Sequence, residues 1–223
     1  MFWDPIFITF KLALVTTAVL LFIAIPLAYW LAFTKSSFKP VIETLVSMPL
    51  VLPPTVLGFY FLMVFSPGNF FGSWLQNFLG IRFVFSFSGL VLGSVLYSLP
   101  FMVHPVQSGL TALPVSLREA AVVLGKTKWT TFCRVLLPNI KPALLTGIVL
   151  AFAHTIGEFG VVLMIGGNIP EKTRVASIAI YDEVESLHYA AANTYSIILF
   201  SVTFLILIFV YAVNGGYLKK FWK

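Results

Sequence analysis

Five long, nearly uncharged apolar stretches dictate what this chain can fold into. They run over 7–33, 42–65, 88–110, 142–164 and 195–213. A helix of about 20 residues crosses a hydrocarbon core, and each stretch is long enough for one crossing. Charged residues make up only 10% of the 223 positions, against 59% hydrophobic ones, whereas a soluble domain carries roughly a quarter charged residues. The expected fold is an all-α membrane protein with about five transmembrane helices. It forms one transmembrane domain over residues 1–223, multi-pass in the cell membrane and in contact with lipid. The first stretch does not read as a signal peptide: it is too long, Asp4 precedes it, and its basic flank, Lys35 and Lys39, follows it.

The net charge of +6 comes from membrane edges rather than from one basic stripe, which argues against nucleic acid. Lys35, Lys39, Arg118, Lys126, Lys128, Arg134, Lys141, Lys219, Lys220 and Lys223 fall on one side of the expected spans. Lys11, Arg82, Lys172 and Arg174 fall on the other. The positive-inside rule makes the richer side cytoplasmic. Five crossings then place the N-terminus outside and the C-terminus in the cytoplasm. Trp3, Trp30, Trp74 and Trp222 lie near the expected interfaces, as an aromatic belt requires. The single cysteine, Cys133, and the scattered histidines, His104, His154 and His188, call for no metal or cofactor.

Proline interrupts two stretches. The second holds Pro49, Pro53 and Pro54, followed by Thr55 and Gly58; the third holds Pro100 and Pro105. Proline frees backbone carbonyls, which membranes tolerate only against protein or a watery cavity. Both stretches are therefore expected to be broken and to line a pathway, the alternative being kinks that serve packing alone. Gly89 and Gly93 make a small-residue face for close helix packing.

The cytoplasmic loop 114–138 is the most informative segment. Ser116 with Glu119 three residues later reads as a capping box that starts a helix. Leu117, Ala120, Ala121 and Leu124 make one apolar face, and Gly125 is a natural stop. Thr127 or Thr130 is placed to cap a second short helix, and Pro138 to end it. An ordered, exposed loop with an apolar face wants a partner, unless it packs back on its own spans or lies in the headgroups. Ala120 to Thr127 also lies one residue from the phosphate-cradling pattern G-x-x-x-x-G-K-[ST]. That pattern needs a glycine-rich turn after a strand, and here a helix face stands instead, so no ATP chemistry is expected of this chain.

Glu119-Ala120-Ala121, Gly125 and Leu137-Pro138 stand at the spacing of the EAA loop, E-A-A-x3-G-x9-I-x-L-P, with Val135 in place of the isoleucine. The chain thereby resembles the permease subunits of type I ABC importers. That resemblance implies a homodimer whose EAA loops seat in grooves of a separate cytoplasmic ATP-binding subunit. Met48 to Gly58, His154 to Gly160 and the Gly167-Asn-Ile-Pro-Glu-Lys-Thr173 run look like permeases for tetrahedral oxyanions, most of all the molybdate branch. Sulfate permeases share part of this pattern, so sulfate and tungstate stand as alternatives. The resemblance also implies an extracytoplasmic oxyanion-binding protein, for which the outer loop 165–192 offers charged residues.

The candidate pathway or gate consists of Pro53, Pro54, Thr55, Gly58, Thr155, Gly157, Glu158 and Gly160. A carboxylate inside a span is costly and usually functional. A dianion would be repelled by Glu158, so a structural or gating role is expected, with His154 one turn earlier as its hydrogen-bonding partner. A stand-alone secondary transporter or channel is disfavoured by the lack of a visible inverted repeat. An intramembrane enzyme is disfavoured by the lack of any catalytic motif.

Overall fold

A computed structural model describes residues 3–214; Lys219, Lys220, Trp222 and Lys223 lie outside the described residues. The elements, in order, are α1 (Asp4–Phe33), α2 (Lys39–Val51), α3 (Pro54–Phe65), α4 (Phe70–Leu79), α5 (Phe87–Thr111), α6 (Val115–Val123) and α7 (Lys128–Thr131). A π-turn (Phe132–Leu136) leads to α8 (Leu137–Asn139), α9 (Lys141–Gly157), α10 (Gly160–Gly166), α11 (Ala176–Glu185) and α12 (Tyr189–Asn214). All regular structure among the described residues is helical, as composition requires. Among the described residues three helices, α1, α5 and α12, are long and apolar enough to cross a membrane. Two sharply bent pairs bring the number to five if each pair is one span.

The core forms where α1, α5 and α9 pack together. Leu20, Ala24, Ala28 and Leu31 of α1 meet Val95, Met102, Val103, Val106 and Leu110 of α5, with Ala151 of α9 in the same cluster. Lipid tails are as apolar as leucine, so close approach of small residues has to hold such helices together. Gly147 supplies one such point: a Cβ there would lie 3.2 Å from the Met102 carbonyl oxygen of α5. Gly93 supplies another, since a Cβ there would come within 2.8 Å of a Val161 methyl on α10. The small-residue face expected on this stretch is thus used at Gly93. Gly89 instead sits in the first turn of α5, where its N–H donates to the capping hydroxyl of Ser86 over 3.1 Å.

Two expectations about breaks part company. The second stretch does break: α2 and α3 meet at Leu52–Pro53 with a bend of 113°. The third does not. α5 continues through Pro100 and Pro105, because α1 and α9 flank it, and packed neighbours compensate the lost donors of proline in membrane helices. The fourth stretch breaks where no proline stands, at Glu158–Phe159 between α9 and α10.

The segment 165–192 is not a free loop. The Thr173 hydroxyl, wholly buried, donates to the Gly166 carbonyl (2.7 Å) and accepts from the Ile169 N–H (3.2 Å). The Gly-Asn-Ile-Pro…Thr run is therefore a tight turn closed by its last residue. Beyond it, α11 packs against α1 and α12 through Ala176 and Ala179, in one cluster with Ile6 and Tyr195. The Thr9 hydroxyl of α1 accepts from the Ala176 N–H over 2.8 Å. Arg174 pairs with Asp182 at 3.0 Å. α12 then begins at Tyr189, six residues before the apolar stretch that announces it. Only 11% of its most apolar window is buried, against 56% for α5, so its outer face is left for lipid or protein.

Candidate functional site

Two places gather the residues singled out from sequence. The first is the elbow formed by α6, α7 and the π-turn. Pro114 precedes α6, which starts at Val115 with no side-chain cap, so the Ser116–Glu119 capping box does not form. The pre-set backbone of Pro114 (φ −56°) initiates the helix two residues too early for Ser116 to stand at its cap. The stop at Gly125 does form. Gly125 adopts φ +66°, its N–H bonds the Val122 carbonyl (2.9 Å), and the Lys126 N–H bonds the Ala121 carbonyl (2.9 Å). This pair of bonds is the Schellman arrangement. Thr127 caps α7 by accepting from the Thr130 N–H at 3.1 Å. Helix does not end at Pro138; it runs to Asn139 and turns by 78° into α9.

The apolar face expected on α6 divides. Ala121 is only 4% exposed and Leu117 is half-buried, while Ala120 and Leu124 face outward. The Arg118 guanidinium lies over the Phe33 ring at 4.1 Å, which fastens α6 to the end of α1. Glu119, Gly125 and Pro138 are exposed and Leu137 is half-buried. Sequence reading missed Val122, Val123 and Trp129, which with Leu124 form the most uncovered apolar part of the elbow; Val123 is 86% exposed. The signal was available. Val122-Val123-Leu124 are consecutive, and residues 100° apart on a helix outside the bilayer cannot all turn inward.

The second place is a cleft of about 440 Å³ at the two helix breaks, whose lining includes Pro54, Thr55, Gly157, Glu158 and Gly160. Pro53 is the turn residue before α3. Gly58 lies one turn further along, where a Cβ would be 2.7 Å from Met164 Cβ and 3.1 Å from Val161 Cα. A Cβ on Gly160 would be 2.7 Å from Pro54 Cβ and 3.2 Å from the Thr55 nitrogen. Glycine therefore joins the two half-helices that follow the breaks, α3 and α10, almost backbone to backbone. Residues a hundred positions apart in the chain become one wall.

His154 does not pair with Glu158. Its Nδ1 meets the Ser98 hydroxyl at 2.9 Å, and its ring stacks on Phe101 at 4.0 Å between centroids. Ser98 also reaches the Thr155 hydroxyl, at 3.1 Å, and that hydroxyl donates to the Ala151 carbonyl at 2.9 Å. Thr155 thus stands behind the cleft wall, held by α5. Glu158 is 4% exposed, and its carboxylate makes no well-formed hydrogen bond among the described residues, with the Ser94 hydroxyl of α5 beside it; the buried hydroxyls of Thr16 and Thr17 likewise have no partner among them. The backbone explains the separation from His154. α9 ends at Gly157, and Glu158 takes extended angles (φ −67°, ψ 134°), so the i,i+4 geometry of a helix no longer applies. Its carbonyl instead accepts from the Ser177 hydroxyl at 2.6 Å, which ties the break to α11. Tyr97, which lines the cleft, and Ser98 were missed as site residues; for Ser98 the signal was Ser94 and Ser98 standing one helical turn apart in an apolar span.

Two bent helix pairs beside a three-helix core, with an exposed elbow at one end, define the fold of type I ABC importer permeases. The chain superposes on the inward-facing MetNI methionine ABC transporter with a TM-score of 0.72, covering 95% of this chain and 94% of that one at 17% identity. It also superposes on a bacterial alginate ABC transporter in complex with its alginate pentasaccharide-bound periplasmic protein, with a TM-score of 0.72 over 92% and 77% of the two chains at 19% identity. Residues 24–219 match the family described as binding-protein-dependent transport system inner membrane component, and the chain belongs to that family. It is a multi-pass membrane protein. Among its relatives is the molybdenum transport system permease protein ModB of Azotobacter vinelandii, 48% identical over 92% of this chain and 91% of that one. The ModB of Escherichia coli is 33% identical over 82% and 80%. The sulfate transport system permease protein CysT of E. coli is 36% identical, over 76% of this chain and 61% of its own length.

Proposed function

We propose that this chain is the permease subunit of an ATP-driven importer that carries molybdate into the cytoplasm, working as a homodimer. A separate cytoplasmic ATP-binding subunit grips each elbow, and an extracytoplasmic binding protein delivers the anion. The N-terminus lies outside and the C-terminus in the cytoplasm, an orientation supported by the cations Arg118, Lys126 and Lys128 around the elbow. The observation that carries the mechanism is the uncovered apolar tip of that elbow, Val122, Val123, Leu124 and Trp129. An exposed apolar surface of this kind marks a place of contact with protein or membrane, and the EAA spacing of the loop supports the ATP-binding subunit as its occupant. The likeness to ModB along 92% of the chain supports the cargo.

ATP-driven closure of the two ATPase subunits pulls the elbows together, and α9, joined to the elbow at Ile140, carries the movement to the breaks at Glu158 and Pro53. The ATPase shifts the permease only in so far as it binds its two states with different affinity. The segment 165–192, with Lys172, Glu183 and Glu185, offers the binding protein charged residues. The cleft at the breaks is the gate, and Glu158, 4% exposed with its carbonyl held by the Ser177 hydroxyl, positions the break rather than gripping the cargo. Glu158→Gln is expected to lower uptake about tenfold, equivalent to about 1.4 kcal/mol, at an unchanged amount in the membrane. Uptake equal to the parent's would remove Glu158 from the gate.

The cargo is tested by ATP-dependent uptake of radiolabelled molybdate into vesicles holding the complete transporter. Tungstate, of the same charge and shape, is expected to compete, and a large excess of sulfate is not. Inhibition by sulfate equal to that by tungstate would transfer the assignment to sulfate.

A further inference from the structure

Between the second and third apolar stretches lies a helix that the transport reading leaves unused. α4 is ten residues long and carries three separate stripes. Gly72 and Leu75 are buried, and Gly72 sits so close to the end of α3 that a Cβ there would lie 2.2 Å from the Ser66 carbonyl oxygen. This fixes α4 at the level where α3 ends. Asn69, Ser73, Gln76 and Asn77 recur at helical spacing along a second, polar side. The third side is aromatic and open. Phe70 is 89% and Phe78 76% exposed, and Phe71 and Trp74 are also uncovered. Phe71 and Trp74 stack at 6.2 Å, and Phe78 follows at 6.0 Å from Trp74.

We propose that α4 lies flat in the membrane surface on the side where α3 ends, its aromatic side sunk in lipid and its polar side toward water. Position selects lipid as the occupant. α4 is tied to the end of the apolar α2–α3 pair and leads, after a few residues, into α5, which is long and apolar enough to cross a membrane, so its open side lies beside segments built to face lipid. Chemistry selects it too. Residues 66–81 contain no Asp, Glu, Lys or Arg, and Arg82 is the first cation after α4. Aromatic rings place an apolar body in the acyl chains and their edges among headgroups, which enriches them at this depth. An amphipathic helix of this kind buries its apolar side about 5–10 Å into the headgroup–acyl boundary. The connection between the two spans then acts as a float that sets the height of α3 in the bilayer. This inference does not depend on the cargo or on the ATPase.

Site-directed spin labelling tests it, and the chain's single cysteine makes the labelling simple. In a Cys133→Ser background, Phe78→Cys or Gln76→Cys carries the only nitroxide in the full-length chain, reconstituted in phosphatidylcholine–phosphatidylglycerol liposomes. The Phe78 label is expected to collide several-fold more often with oxygen, which partitions into lipid, than with a water-soluble nickel chelate. The Gln76 label is expected to show the reverse preference. Phe70→Cys reads the same aromatic side should Phe78→Cys fail to fold. Equal nickel accessibility at both stripes would place α4 in water and overturn the proposal. A Phe78 label shielded from both reagents would mean that protein, a second copy of this chain first of all, covers the side instead, and would overturn it equally.

Discussion

Gly125→Val is expected to abolish most uptake while the ATPase continues to turn over. The residue stands at φ +66°, where an L side chain costs about 1–2 kcal/mol and a branched one more. A Cβ at Gly125 meets nothing within 4 Å, so the strain is with its own backbone alone. The chain relieves it by opening the bonds that close α6, Gly125 to Val122 and Lys126 to Ala121. Val123 and Leu124 sit directly before that closure, and they form the surface proposed to seat in the ATPase. Their displacement separates hydrolysis from movement. Gly125→Asn is the control: asparagine tolerates the left-handed region, and its uptake is expected to stay near the parent's. Crosslinking reports the contact itself. Val123→Cys is the suitable probe, because Ala121, although part of the EAA pattern, is buried beneath the helix. Full uptake by Gly125→Val, or no capture of an ATPase subunit from Val123→Cys, would defeat the coupling mechanism.

The second large effect is expected where glycine joins the half-helices. Gly58→Val and Gly160→Val each drive a branched side chain into space already occupied by Met164 and Val161, or by Pro54 and the Thr55 nitrogen. Overpacking of this kind costs about 1–3 kcal/mol, and backbone neighbours give way less easily than side-chain ends. The variants are expected to insert normally but to lose uptake about tenfold or more, because α3 and α10 no longer meet across the breaks. Gly157→Ala is the matched control. It lies in the same cleft, yet a Cβ there touches nothing within 4 Å, so its uptake is expected to be unchanged. Equal loss in all three variants would mean that the cleft tolerates no added bulk anywhere, and the specific role of the α3–α10 contact would fall.

The elbow was more legible than the gate, and the reason is range. The Gly125 stop and the Thr127 cap depend on bonds between residues three to five apart, so local spacing predicts them. The Ser116 capping box failed although it is equally local, because Pro114 already supplied the starting backbone and the helix began before Ser116 could cap it. Prolines misled in both directions. Pro53 broke a helix, while Pro100 and Pro105 did not, since α1 and α9 hold α5 on either side. The break at Glu158 had no proline to announce it. Pairing His154 with Glu158 assumed a continuous helix across a position where the backbone is extended.

From sequence alone came the solvent, the number of apolar stretches, the cationic bias and the position of the elbow. The first three rest on the cost of placing a charge or an unpaired backbone group in hydrocarbon and the elbow on local spacing, and both are counted residue by residue along the chain. Tertiary structure alone decided which breaks are real and that α3 meets α10 through Gly58 and Gly160. It likewise decided that His154 belongs to Ser98, and which part of α6 is left bare. Those outcomes depend on how closely segments a hundred residues apart can approach, and that distance is set by packing of the whole bundle rather than by any local pattern.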